Sequence, residues 1–185
     1  MGVCDSQIKK EVGMGRRQIP IDLVNRLSKS MCKITYINTD NNKVYGTGFF
    51  MIYNSLKYLI SVYHVINSNL KNKDIEIEIY NKKKINLKLN SRYIKFFKKP
   101  IDISVVEIKD TDGINEDIEY LKHDLNYKEG GYSQYNEMNV LSLGYPFGEE
   151  LSTGSGKIIN INGFNLSTIF LLNKVHQDLL LFYFI

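Results

Sequence analysis

Tyr58-Leu59-Ile60-Ser61-Val62-Tyr63-His64-Val65-Ile66 is an apolar run that reaches a histidine, and Gly46-Thr47-Gly48-Phe49-Phe50 stands shortly before it. β-Branched and aromatic residues dominate both stretches and suit a pleated, half-buried strand. The two glycines mark a bend or a close approach of backbone. Further on, Asp102-Ile103-Ser104-Val105-Val106-Glu107-Ile108 is a second apolar run that opens on a carboxylate. A polar group at the end of such a run is costly to bury unless it is paired. Two strands, one delivering a histidine and the other an aspartate, therefore set the reading of the rest of the chain.

The surrounding sequence is also strand-like. Lys33-Ile34-Thr35-Tyr36-Ile37 is rich in β-formers and Asp40-Asn41-Asn42 is a turn cluster. Ile75, Ile77 and Ile79 alternate with polar residues, as do Ile85, Leu87 and Leu89 across Asn81-Lys82-Lys83-Lys84. That is a hairpin with one buried face. Val140-Leu141-Ser142-Leu143-Gly144-Tyr145-Pro146 and Lys157-Ile158-Ile159-Asn160-Ile161 are further strands, reached through a polar connection over residues 110–139. One short helix is expected over residues 19–27, with Pro20 near its start. Many short strands and hardly any amphipathic helix predict an all-β barrel architecture.

Composition narrows the function classes. The 185 residues suffice for one large domain or two small ones, and 43% hydrophobic with 24% charged residues is ordinary for a globular chain. The net charge of +4 is mild. Lysines cluster at Lys82-Lys83-Lys84 and Lys98-Lys99, but Glu76, Glu78, Glu116, Asp117 and Glu119 offset them. A phosphate-binding face needs a denser stripe, so these lysines read as solvated loops and no nucleic-acid partner is expected. Heavy use of Asn, Lys, Ile and Tyr reflects AT-rich codons more than a structural demand. Two cysteines, Cys4 and Cys32, make no disulfide framework. No apolar signal region stands near the N-terminus, and the apolar residues 179–185 are too few to span a bilayer. The expected location is therefore the reducing cytoplasm. Three scattered histidines give no metal-site spacing, so neither metal nor cofactor is expected.

Residues 1–19 are polar and aperiodic and read as a flexible tail. Met1-Gly2-Val3-Cys4-Asp5-Ser6 fits the N-myristoylation pattern, with Gly2 as acceptor and Ser6 in the required place. Cys4 could take a second acyl chain, and Lys9, Lys10, Arg16 and Arg17 could face anionic lipid. A chain plus a second signal anchors stably where one chain alone does not. The alternative, an ordinary Met-Gly start with a serine nearby, stays open.

The order histidine, then aspartate, matches one of the convergent orders of a Ser-His-Asp relay, in which the serine comes last. The motifs resemble those of the trypsin/chymotrypsin-like serine proteases, HtrA-type relatives included. Gly46-Thr47-Gly48-Phe49 resembles the strand packed behind the family's histidine. Tyr58 to His64 resembles the strand and turn that carry it, though the family usually shows Thr-Ala before the last residue. Asp102-Ile103-Ser104-Val105 resembles the family's Asp-Ile-Ala-Val segment. Gly144-Tyr145-Pro146-Phe147-Gly148 and Thr153-Gly154-Ser155-Gly156-Lys157-Ile158 resemble the first strand pair of the second barrel. The likeness runs over roughly residues 30–170. It implies a trypsin-like double β-barrel with a complete first and an incomplete second barrel. It also implies serine endopeptidase chemistry on peptide or protein substrates, with His64 as general base and Asp102 orienting its ring. Read without the resemblance, His64 could be a histidine bonded to backbone and Asp102 a strand-start cap. His123, beside Asp124, reads as a surface residue.

The nucleophile is missing. The family's Gly-x-Ser-Gly-Ser-Pro type of motif should follow the Gly-Tyr-Pro strand at some distance, and nothing after Lys157 fits. Ser155 comes too early and lacks the proline; Ser142 and Ser152 read as ordinary strand and loop serines. One set of codons for Gly-Ser-Ser-Gly-Ser-Pro-Ile-Ile, GGT TCA TCA GGA TCT CCT ATT ATT, read from its second base gives Val-His-Gln-Asp-Leu-Leu-Leu. That is Val175-His176-Gln177-Asp178-Leu179-Leu180-Leu181. The expectation is therefore a tail and short helix over residues 1–29, an incomplete protease domain over 30–174, and an out-of-frame tail over 175–185 in which His176 is no ligand. Such a chain would be inactive as written. The alternative is a membrane-tethered pseudoprotease that binds without hydrolysing, which should keep a packed C-terminal half.

Overall fold

The computed structural model describes residues 20–99, 101–114, 118–122, 139–162, 165–170 and 181–184. It is an all-β molecule with one short helix, α1 (Ile21–Ser28). Pro20 precedes the helix, where no amide is needed, and its carbonyl accepts from Leu23 and Val24. Asp22 in the first turn and Arg26 in the last suit the helix dipole, and Val24 and Leu27 turn inward.

Eight strands form the first sheet: β1 (Met31–Ile37), β2 (Lys43–Tyr53), β3 (Leu56–Val62), β4 (Asp74–Ile79), β5 (Lys84–Lys88), β6 (Ile94–Phe97), β7 (Ile103–Ile108) and β8 (Leu121–Lys122). The order is β5-β4-β1-β2-β3-β7-β6, with β8 parallel to β2 off this path. The two ends of the path, β5 and β6, are consecutive in sequence and only residues 89–93 separate them. The covalent chain thus joins the two edges, and the sheet wraps around one core. Ile34, Phe50, Leu59, Ile75, Ile77, Leu87 and Val106, drawn from β1, β2, β3, β4, β5 and β7, meet in that core almost wholly excluded from solvent. Cys32 is buried with them, and burial pushes its thiol far above the ordinary range despite a hydrogen bond with the Gly48 backbone. This is the expected complete first barrel.

The alternation expected at β4 and β5 is present. Ile75, Ile77 and Ile79 point inward, while outside Glu76 meets Lys84 and Glu78 meets Lys33. The corner between β5 and β6 is held by Arg92. Its guanidinium grips both Asp112 carboxylate oxygens at 2.9 Å and also donates to the carbonyls of Glu107 and Lys88. The two side chains are only 5% and 9% exposed. Burial pushes the Asp112 carboxyl up, but the Arg92 and Lys109 bonds and charges outweigh it and hold it below the ordinary value.

The second sheet has four described strands, β9 (Asn139–Gly144), β10 (Ser152–Asn162), β11 (Asn165–Phe170) and β12 (Leu181–Phe184), in the order β11-β10-β9-β12. It matches the expected incomplete barrel. Within the segment expected to be an out-of-frame tail, Leu181–Phe184 pairs antiparallel with Val140 to Leu143 of β9. A second apolar cluster joins the two sheets and the helix: Val24 and Leu27 of α1, Met31 of β1, and Leu141, Leu143 and Tyr145. The connection beyond β7 does more than link. Ile114 is buried in the first core, Ile118 and Tyr120 pack against it, and Leu121 packs on the second cluster.

Candidate active site

β3 ends at Val62, and the chain turns back through Tyr63 to Ile66, with the Val65 and Ile66 amides bonded to the Val62 carbonyl. His64 sits on this turn. Gly46 is what lets the turn seat closely: a Cβ there would lie 2.5 Å from a Val65 methyl. Gly48 has the same role further along β2, where a Cβ would meet Leu59 at 2.7 Å and Ile34 at 2.9 Å. The Gly-x-Gly motif is thus a steric requirement of the core behind the histidine.

Asp102 lies immediately before β7, beside that turn. Its backbone is left-handed, with φ of 56°, a conformation that asparagine and aspartate tolerate better than most residues. The Asp102 amide donates to the Lys98 carbonyl at 3.3 Å, and the Asp102 carbonyl accepts from the Tyr63 amide at 3.1 Å. Its carboxylate then takes two bonds from His64: the main-chain N–H reaches Oδ1 at 3.2 Å and the ring Nδ1 reaches Oδ2 at 2.7 Å. Two residues beyond each of the pair, the buried Ser104 hydroxyl of β7 donates to the Ile66 carbonyl of the turn.

This geometry assigns the ring's tautomer. An ionised carboxylate can only accept, so Nδ1 of the neutral imidazole carries the proton and Nε2 keeps its lone pair. No group among the described residues bonds Nε2, and the His64 side chain is 42% exposed against 23% for Asp102. The pair can therefore take a proton at Nε2 from something that approaches from outside.

The other sequence candidates lie elsewhere. Ser142 is buried and its hydroxyl donates to the Gly154 carbonyl at 3.2 Å. Ser152 is paired opposite Gly144 and Ser155 opposite Leu141. Ser61 and Ser104 give their hydroxyl protons to the carbonyls of Thr47 and Ile66. Gly2, Cys4, His123, Asp124 and His176 lie outside the described residues. The supporting roles of Tyr63 and Ser104 were not singled out in the sequence. Serine where the resembled pattern has alanine was the available signal for Ser104. Thr47 also does more than its strand position suggests: its buried Oγ1 accepts the Tyr145 amide at 2.8 Å, tying the second sheet to the strand behind His64.

No family model and no curated protein matches the sequence. Among solved structures the fold is similar to a serine endoprotease from Yersinia pestis, at 16% identity and a TM-score of 0.56, covering 80% of this chain and 48% of that one. The HtrA-type protease AlgW, solved with a tripeptide, is similar at 14% identity and a TM-score of 0.53, covering 78% and 41%. The Rv3671c protease of M. tuberculosis in its inactive form gives 14%, 0.50, 75% and 56%. This chain spans about half the length of each of these relatives. The chain therefore has the fold of the trypsin-like, HtrA-type serine proteases, with His64 and Asp102 meeting at the end of its first barrel.

Proposed function

We propose that this chain carries the base and the orienting carboxylate of a serine endopeptidase acting on peptide or protein substrates. The 2.7 Å contact from His64 Nδ1 to Asp102 Oδ2 carries the proposal. In that chemistry Nε2 removes the proton of a serine hydroxyl as the oxygen attacks the scissile carbonyl. The imidazolium formed is stabilised by Asp102, and the same proton later passes to the leaving amine. On this reading the residues given supply no such serine, and the chain as written does not hydrolyse peptides. On this reading the serine motif is encoded in a shifted frame after Lys174. Purified chain should neither hydrolyse peptides nor react with a fluorophosphonate probe. Restoring the frame after Lys174 should produce both properties, and His64→Ala should then abolish them. A transcript with no Gly-x-Ser-Gly motif in any frame beyond that codon would sink the frameshift account, and labelling of Ser155 would relocate the nucleophile.

One observation favours a second reading, a pseudoprotease held at the cytoplasmic face of a membrane by acylation of Gly2 and Cys4. β12 pairs with β9 over four positions, so some of the C-terminal segment is integrated into the second sheet. On this reading Gly2→Ala moves the protein from membrane to soluble fractions and Cys4→Ala does so less completely. Indifference to both changes leaves the cytoplasm without an anchor.

A further inference from the structure

β2 is the strand on which the two sheets meet, and its two faces have different neighbours. Gly46, Gly48 and Phe50 point into the first core, where Gly46 seats Val65 of the His64 turn. Tyr45, Thr47 and Phe49 alternate with them and face the other way. All three meet the second sheet or the turn that leaves it. The Tyr45 ring lies so close to Gly148 that a Cβ on that glycine would come within 2.3 Å of it. Phe49 packs on the cluster that holds Leu141, Leu143 and Tyr145. Between them, Thr47 Oγ1 accepts the Tyr145 amide at 2.8 Å.

These contacts are not equivalent. Apolar packing has no direction, so Tyr45 and Phe49 hold the sheets together without fixing how far one slides over the other. The Lys82–Glu150 pair, at 3.6 Å, also spans the joint, but both side chains are more than half exposed and such pairs contribute little. The hydrogen bond is buried and directional, and a buried amide must find an acceptor. Thr47 is also tied to the strand that delivers the histidine. Its carbonyl accepts the Ser61 hydroxyl at 2.8 Å, three residues before His64, and both residues are wholly buried. One residue thus takes a bond from each side of the joint.

We propose that Thr47 is a positioning residue, which fixes the register of the Gly144-Tyr145-Pro146 segment, and with it the second sheet, against the His64 strand. This goes beyond the reading of His64 as a base. A base on one sheet serves a group carried by the other only while the two keep a fixed separation. Alignment is read without turnover, so its failure and the failure of the protease reading are separate results.

The test uses the full chain in solution. Residual dipolar couplings of main-chain amides in β1, β2, β3 and β9 report the relative orientation of the sheets, hydrogen exchange reports the Tyr145 amide, and the His64 ring resonances report the pair with Asp102. One alignment tensor should fit both sheets of the unaltered chain. Thr47→Val keeps the shape but cannot accept. It should speed exchange of the Tyr145 amide about tenfold or more and take β9 off the common tensor, with the His64 signals unmoved. Thr47→Ser should restore both properties. Ser142→Ala, which removes a buried bond to the Gly154 carbonyl inside the second sheet, should leave the common tensor intact. If Thr47→Val does not fold, Thr47→Ala set against Thr47→Ser makes the same comparison. A common tensor that survives Thr47→Val overturns the proposal. So does an equal departure in Thr47→Ser, which assigns the effect to methyl packing, or in Ser142→Ala, which assigns it to general softening. Loss of the His64–Asp102 signals in Thr47→Val makes Thr47 a support of the first barrel alone and overturns it as well.

Discussion

Asp102 adopts a backbone conformation that costs a non-glycine residue roughly 1–2 kcal/mol, and the three bonds it accepts from Tyr63 and His64 offset that cost. Asp102→Asn keeps the size but not the chemistry. An amide can present either its oxygen or its NH2 to Nδ1, so the ring proton is no longer confined there. The expected outcome is a rise in the tautomer protonated at Nε2, read from the ring nitrogen shifts; an unchanged tautomer ratio would show that Asp102 does not set it. Arg92 and Asp112 make the corresponding structural pair. Arg92→Ala strands a buried carboxylate and should cost about 3 kcal/mol in urea unfolding. Because Asp112 is held below its ordinary value, its share of stability is complete above about pH 4. It is lost as pH falls through the lowered native value. Asp112→Asn should therefore flatten the acid limb of the stability profile.

At the scale of elements, the strands with one clean buried face were legible in sequence. Alternation marked β4 and β5, and a continuous apolar run marked β7, because a half-buried pleat leaves a period of two. β6 escaped, although Ile94 and Phe96 alternate with Lys95 and Phe97. Four residues beside Lys98 and Lys99 are too few for periodicity to stand out, and pairing with β7 is what forms the strand. The histidine and aspartate themselves were legible because each stands at one end of an apolar run. Their support was not, since Ser104 and Thr47 act through hydrogen bonds to residues 38 and 98 positions away. Gly46 is where element packing meets the site. Gly46→Ala must displace Val65, so it should destabilise the barrel by about 1–3 kcal/mol and shift the His64 ring signals. A destabilised chain with unmoved His64 signals would separate the glycine from the histidine turn.

Across the whole molecule, the second apolar cluster gathers α1, Met31 of β1 and Leu141 and Leu143 of β9, and the Thr47–Tyr145 bond ties the same two sheets, so they share structure as well as linkage. The edge strands of the first sheet are joined through residues 89–93, and the thiol of Cys32 is buried in the core that the sheet wraps. That burial provides a chemical clock. In a Cys4→Ser chain, Cys32 is the only thiol left in the sequence. Thiolate is the reactive form, and here it is both inaccessible and strongly disfavoured, so a disulfide reagent can modify it only while the barrel is open. Its modification rate, divided by the rate for the unfolded chain, is then the fraction of time the barrel spends open. The ratio should be roughly 10⁻³ or smaller for a barrel of ordinary stability. Repeated on variants, the same measurement grades how far each one loosens the scaffold beneath His64, without any need for turnover.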